Sequence, residues 1–237
     1  YADSDGGECP FTITSTKEAP TPSCGKSRFG CWVCTVVKED KSLNGFIKSG
    51  EEWLIPLAEF RNWLLEIRDD PDYRDTKRRD GKIYYKKGTD ELGFGPFTLE
   101  ARQKILRKLL ETQKEIGMEL ITLEELKKID EIWDDEGDLT RRILVDTYYE
   151  VIGDKLPWDG YKKELFEDKI VDELKISCAE FDVPFELMIK LILAVENNKF
   201  YTYKHKLKDE LEKILNEDWL HYKKIEEIED VNKQIGA

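Results

Sequence analysis

The sequence predicts a mainly α-helical protein, in which a cysteine-rich metal-binding loop precedes about seven helices with little sheet. Apolar residues recur at steps of three and four over much of the chain after residue 49, which is the period of an amphipathic helix. Glycine, proline and capping residues separate these periodic stretches. The earlier residues instead combine four cysteines with prolines and glycines, which predicts a wrapped loop that needs a cross-link to stay folded.

Three regions follow from this pattern. Residues 1–48 form the cysteine-rich loop, residues 49–135 form a helical region packed on it, and residues 136–237 form a C-terminal helical region. A basic, irregular insert at 71–97 interrupts the second region. The chain begins with Tyr1 rather than Met, so we expect it to be the C-terminal part of a longer protein.

The first predicted helix begins after two short irregular features. Residues 36–37 indicate a strand and residues 43–45 a turn. Ser49 and Glu52 have the spacing of a capping box, and Pro56 suits the first turn of a helix that starts near residue 55 or marks a kink. The helix ends by residue 70, and its predicted apolar face consists of Trp53, Leu57, Phe60, Leu64 and Ile67.

Capping signals delimit the next two helices. Thr98 is the expected N-cap of a helix that runs to about Glu115 and is stopped by Gly117. Thr122 and Glu125 form the capping box of the following helix. The core-facing residues predicted for the two helices are Leu99, Leu106, Leu109, Leu110, Gln113, Leu123, Leu126, Ile129 and either Ile132 or Trp133.

The remaining helices are placed by periodicity. They are predicted at 139–152, 160–179, 184–197 and 203–234, the last with a heptad-like apolar seam between charged positions. Within the basic insert, residues 82–86 could pair as a short hairpin.

Four cysteines are the candidate metal ligands. Cys9, Cys24, Cys31 and Cys34 are separated by fourteen, six and two residues. Four thiolates can hold an iron–sulfur cluster or close a tetrahedral zinc site. Two disulfides are the third alternative, and it is the usual one in small secreted chains. The spacing favours a metal over disulfides but leaves iron–sulfur and zinc open.

Other side chains with reactive chemistry are interpreted more simply. Cys178 lies in a helical pattern and is expected to be a small buried residue. His205 and His221 lack a second ligand at metal-binding spacing and are expected to be surface histidines. Arg28, inside the cysteine loop, could donate to a phosphate, a persulfide or a cluster sulfur, or to carbonyls of the loop itself.

Three stretches of the sequence resemble a known family. They are CGKSRFGCWVCTVVKEDKSLNGFI, GEEWLIPLAEFRNWL and GPFTLEARQKILRKLLETQ. They are similar to the DNA-phosphorothioation sulfurtransferases commonly called DndC, which belong to the phosphoadenosine-phosphosulfate-reductase-like group. The likeness runs from about Gly6 to about Trp133 and is weaker in the helical sequence that follows.

The resemblance implies a function and a cofactor. Members of the family activate with ATP and replace a non-bridging oxygen of the DNA backbone by sulfur, which a cysteine desulfurase of the same system supplies. A [4Fe-4S] cluster is implied on Cys9, Cys24, Cys31 and Cys34. The family's α/β ATP-pyrophosphatase domain, with its serine- and glycine-rich phosphate loop, is not in these residues, because the only early glycine pair is followed by Glu8. The alternative is a non-catalytic helical interaction module with structural zinc.

Charge distribution narrows the choice of partners. The net charge of −13 argues against DNA binding by the whole surface. Seven basic residues nevertheless lie between residues 73 and 88, against two acids, so this run is predicted either to contact DNA or to be a solvated loop. No apolar run is long enough to span a bilayer, and the clustered thiols indicate a reducing cytoplasm. The DNA-contacting candidates are Arg28, Lys77, Arg78, Arg79 and Lys82.

Overall fold

A computed structural model describes residues 32–199 and 205–217 of the chain. This part is mainly helical, as the sequence predicts, and its strand-like pairing is limited to three isolated antiparallel bridges. None of its helices is long and apolar enough to cross a membrane. Its eight α-helices are α1 (Lys41–Lys48), α2 (Ile55–Ile67), α3 (Leu99–Ile116), α4 (Leu123–Glu136), α5 (Ile143–Ile152), α6 (Asp168–Glu180), α7 (Phe185–Asn198) and α8 (His205–Leu215).

The main apolar core lies between α3, α4 and α5. Leu110 and Leu144 are completely buried where α3 packs on α5, and Leu126 of α4 is 1% exposed. The loop after α5 closes the same core with Leu156. Helices α4 and α5, which lie on either side of the boundary predicted between residues 135 and 136, bury their apolar faces in the same core.

Local capping chemistry is confirmed where the sequence predicted it. The Thr98 hydroxyl accepts a hydrogen bond from the amide of Ala101 and begins α3. Gly117 ends α3 in the left-handed conformation, at a φ of 67°, which glycine adopts without the Cβ clash of other residues. Thr122 and Glu125 form the reciprocal capping box of α4. These signals act within a few residues, so they can be read without knowing the fold.

The segment before α2 differs from its prediction. Residues 43–45 belong to helix α1, because the Asp40 carboxylate accepts from the amide of Leu43 at 3.0 Å and caps that helix. Ser49 ends α1 instead of opening α2. Helix α2 starts at Ile55 with a proline in its first turn, as the sequence allowed. Residues 36–37 do not form a strand.

Two predicted core positions are on the surface. Trp53 precedes α2 in a short 3-10 turn (Glu52–Leu54) and is 48% exposed. Leu123 is 46% exposed, since it stands at the first position of α4, where the helix has not yet reached the core. Of the two alternatives at the end of α4, Trp133 is the buried one.

In the second half of the chain, too, the helix boundaries differ from the predicted ones. Helix α5 starts at Ile143 rather than residue 139, because the buried Asp138 carboxylate accepts from the amides of Thr140, Arg141 and Ile143. Helix α6 starts at residue 168 instead of 160. Helix α8 ends at residue 215, so the long helix predicted for 203–234 is not continuous; the part of its seam beyond residue 217 lies outside the described residues.

Candidate functional site

Of the four predicted metal ligands, the structure describes only the last, Cys34. Cys9, Cys24 and Cys31 lie outside the described residues, as does Arg28, while Cys34 is half-buried just before α1. Within 32–199 and 205–217, no three cysteine, histidine or acidic side chains come together as a metal site. The four-thiolate site stays a prediction, because only one of its members belongs to that part.

Arg61 of α2 fixes the backbone that follows the cysteine motif. Its side chain is buried, with 1% of the residue exposed. The guanidinium donates to the carbonyl oxygen of Cys34 at 3.2 Å, to that of Lys38 at 2.7 Å and, in a short contact, to that of Val37. A planar guanidinium offers five donors in fixed directions, so one side chain holds three carbonyls and sets the position of Cys34 relative to α2.

A second arginine supports the same stretch from about two helical turns further along. Arg68, which follows α2, donates to the carbonyl oxygen of Thr35 and forms an ion pair with Asp69. The hydrogen bond that Arg68 donates to the Asp69 carboxylate raises the pKa of Arg68. Sequence analysis missed both arginines. One signal was available, since Arg61 lies four residues after Leu57 and shares the face of α2 that carries the buried leucine.

Aromatic rings connect the cysteine motif to the start of the basic insert. The Trp32 ring lies 5.7 Å from that of Phe60, and Phe60 lies 6.2 Å from Trp63. Trp63 meets Tyr73 edge-on at 6.4 Å. These spacings are typical of stabilising aromatic pairs. Trp32, between Cys31 and Cys34, therefore packs on α2, the helix that also carries Arg61.

A cavity of about 490 Å³ opens beside this anchor. Its walls come from α1, from the 3-10 turn at Glu52–Leu54 and from the start of α2. Trp32 belongs to its lining, which places the cavity next to the cysteine motif. The lining is mostly apolar, but it includes the acidic residues Asp40 and Glu51.

The basic insert is an irregular loop whose two halves pair at isolated positions, and it does not form a regular hairpin. Single antiparallel bridges join Arg74 to Phe97, Lys77 to Ile83, and Tyr85 to Leu92. The predicted pairing of residues 82–86 is present in part, since the amide of Lys86 donates to the carbonyl of Glu91 at 2.8 Å.

Gly95 permits the close backbone approach at the base of the insert. Its amide donates to the carbonyl of Asp75 at 2.8 Å. A Cβ atom at this position would lie 1.9 Å from the carbonyl oxygen of Lys77. Only glycine can therefore bring these two stretches of backbone so close together.

The four residues of the insert that were predicted to contact DNA divide into one buried and three exposed members. Lys77 is 4% exposed, and its ammonium lies 3.6 Å from Glu186 of α7 and 3.5 Å from Glu217, which follows α8. Arg78, Arg79 and Lys82 are exposed. Lys77 thus joins the insert to α7 and the end of α8, and it does not belong to the surface that the sequence proposed for DNA phosphates.

Burial affects both charges of the Lys77 pair. Desolvation lowers the pKa of Lys77, and the carboxylates of Glu186 and Glu217 oppose that shift only in part. Desolvation also raises the pKa of Glu186, to which the nearby Asp75 carboxylate adds. Both shifts favour the neutral forms. Lys77 is the poorly solvated member of the pair, because the Glu186 side chain is 49% exposed.

The two remaining interpretations of single residues are confirmed. Cys178 is 4% exposed, and burial raises the pKa of its thiol, as expected for a small core residue. His205 is exposed at the start of α8. His221 lies outside the described residues.

Comparisons with models of protein families, with curated proteins and with solved structures give no match to this chain. The resemblance to the DNA-phosphorothioation sulfurtransferases therefore stays a prediction that depends on the motif around Cys34 and on the two stretches that follow it.

Proposed function

We propose that this chain is the cluster-bearing, helical part of a sulfurtransferase that places sulfur in the DNA backbone. The observation that carries the proposal is the cysteine motif ending in Cys31-Trp-Val-Cys34, together with the contacts by which Arg61 holds residues 34–38. A redox or sulfur-handling cluster needs its ligands at fixed positions. The three carbonyl contacts of Arg61 provide such rigidity immediately after the last cysteine.

The donor set suits an iron–sulfur cluster. Cys9, Cys24, Cys31 and Cys34 would supply four thiolates, the usual ligands of a [4Fe-4S] centre. Such a cluster, when bound, can exchange an electron or hold the loop in place. The chain's own contribution is positional, because Arg61 and Arg68 fix residues 34–38 on α2.

The proposed partners follow from the reaction. DNA would contact the exposed cations of the insert, Arg78, Arg79 and Lys82, with Arg28 as a further candidate in the cysteine loop. ATP activation is assigned to the α/β domain that the resemblance implies, and sulfur delivery to a cysteine desulfurase. The cytoplasm is the compartment where exposed thiols stay reduced.

A structural zinc site is the second candidate. It is favoured by the helical remainder of the chain and by the lack of a phosphate-binding loop in its sequence. The chain would then be an interaction module with no chemistry of its own. The two candidates differ in the metal that the same four cysteines hold.

Metal analysis of anaerobically purified protein tests the proposal. A brown protein with about four irons per chain supports the cluster, and a colourless zinc protein supports the module. Changing Cys34→Ser should remove most of the metal, whereas Cys178→Ala serves as the matched control and should retain it. Full metal content in Cys34→Ser would show that the four-thiolate assignment is wrong.

DNA contact by the insert is tested by the salt dependence of binding. Changing Arg78, Arg79 and Lys82 to Gln should weaken DNA binding by the full-length protein and flatten the log–log salt slope by about 0.9 for each lost phosphate contact. Lys86→Gln is a useful control, since Lys86 is paired with Glu91 at 2.8 Å. An unchanged slope in the triple variant would mean that the insert is only a solvated loop.

A further inference from the structure

The cavity next to the cysteine motif combines aromatic walls with negative charge. Trp32, Phe46 and Trp53 line it together with Asp40 and Glu51, and three leucines complete the apolar surface. No lysine or arginine belongs to the lining within the described part of the chain. Its volume, about 490 Å³, falls in the range of small-molecule sites, which extends from about 300 to 1,000 Å³.

The two carboxylates are held by the fold. The Asp40 carboxylate caps α1 through the amide of Leu43 at 3.0 Å, and the residue is 7% exposed although it faces the cavity. Glu51 accepts a hydrogen bond from the indole nitrogen of Trp53 at 2.7 Å. This bond keeps a carboxylate at the edge of an aromatic ring that is itself 48% exposed.

We propose that this cavity binds a small organic cation, an alkylated ammonium group attached to a short apolar or hydroxylated body. The proposal is independent of the metal and DNA chemistry above. A cation over an aromatic face is attracted by the negative charge of the ring face, most strongly where water is excluded. The carboxylates add long-range attraction, and they would repel an anionic ligand from the same site.

Alkylation of the nitrogen follows from the composition of the walls. A bare ammonium has three donors and is strongly hydrated, so it needs several acceptors to compensate for lost water. Asp40, Ser42 and Glu51 are the lining residues with side-chain acceptors, and the other six are leucine or aromatic, so a bare ammonium would meet apolar surface on most sides. An alkylated ammonium spreads its charge over methyl groups, which pack on leucine and tryptophan alike, and aromatic cages recognise such groups.

Choline and its neutral isostere 3,3-dimethylbutan-1-ol provide a matched pair of probes. The two have the same shape and hydroxyl, but carbon replaces the charged nitrogen in the alcohol. We expect isothermal titration of the full chain to show choline binding about tenfold more tightly than the alcohol, the ratio that a cation–π contribution near 1.4 kcal/mol gives. Equal affinities, or no binding of either probe, would overturn the proposal.

Two variants locate the binding. Glu51→Gln keeps an acceptor for the Trp53 indole but removes the charge, and Trp53→Leu keeps an apolar wall but removes the aromatic face. Each should weaken choline binding by about threefold to tenfold and leave the alcohol unaffected or less affected. Glu52→Gln is the control, since this neighbouring acid is exposed and lies outside the lining. Choline binding that is equal in all three variants would place the cation elsewhere and overturn the proposal.

Discussion

Two irregular stretches of this protein are each held to a helix by one buried cation. Residues 34–38, after the cysteine motif, are held by Arg61 of α2, whose acceptors include three backbone carbonyls. The basic insert is joined to α7 and the end of α8 by Lys77, whose acceptors are the carboxylates of Glu186 and Glu217. Both cations are almost fully buried, yet their energetic consequences differ.

The difference lies in the geometry of the two side chains. Arg61 makes directed hydrogen bonds, 2.7 Å long to Lys38 and 3.2 Å long to Cys34. Its removal would take a charged donor away from each of these carbonyls. Lys77 lies at 3.5 and 3.6 Å from its carboxylates, and desolvation is the largest influence on its pKa. A buried ion pair whose attraction offsets its desolvation only in part contributes little to stability.

The largest effect is expected for Arg61→Met. We expect the variant to lose about 3 kcal/mol of unfolding free energy, because carbonyls in a partly buried site lose charged donors. Arg61→Lys should recover less than half of this loss, since an ammonium cannot reach three carbonyls in fixed directions. Chemical denaturation measures both values.

Arg68→Met is the matched control for Arg61. Its side chain is 40% exposed and makes one contact with this stretch, to the carbonyl of Thr35. A loss of less than about 1 kcal/mol is expected. Equal losses in the Arg61 and Arg68 variants would contradict the view that one buried guanidinium holds the segment.

Gly95→Ala should come next and should act on the insert. The added Cβ would meet the carbonyl oxygen of Lys77 at 1.9 Å, so the backbone must move apart, at a cost of about 2 kcal/mol. Gly88→Ala is the comparison, because Gly88 has a φ of +82° but open space around it; only the conformational cost of about 1 kcal/mol applies there. If the two variants were equally stable, close backbone approach would not be what holds the insert.

The smallest effect is expected for Lys77→Met. At pH 7 the unfolding free energy should change by less than about 1 kcal/mol, because the apolar side chain avoids desolvation. The carboxylates also keep other partners: Glu217 lies 2.5 Å from Lys190, and the Glu186 side chain is 49% exposed. A loss near that of Arg61→Met would show that the two cations act alike.

The pH dependence of the unfolding free energy of the same variant shows whether the fold favours the charged or the neutral form of Lys77. Burial lowers the pKa of Lys77 below its ordinary value of 10.5, so the native state binds fewer protons than the unfolded state between these two values. Wild-type stability should therefore rise relative to Lys77→Met as the pH increases towards 10.5. Lys82→Met, at an exposed position, should show no such difference. An opposite slope would mean that the carboxylates stabilise the charged form.

The sequence by itself determined the helical class and those helix ends that local chemistry decides. The N-cap of Thr98, the capping box at Thr122 and the stop at Gly117 were all predicted correctly, because each involves atoms within a few residues. The α1 cap was missed although it is equally local. Asp40 carries the right side chain, but the pattern after it was interpreted as a turn.

Only the tertiary structure decided the roles of the charged residues. Lys77 and Arg78 are adjacent in a basic run, yet one is buried and the other exposed, because the partners of Lys77 lie more than a hundred residues away on α7 and beyond α8. Arg61 likewise serves a backbone segment that precedes it by more than twenty residues. Sequence spacing shows where a charge stands along the chain, but its solvation and its partners depend on which distant segments the fold brings against it.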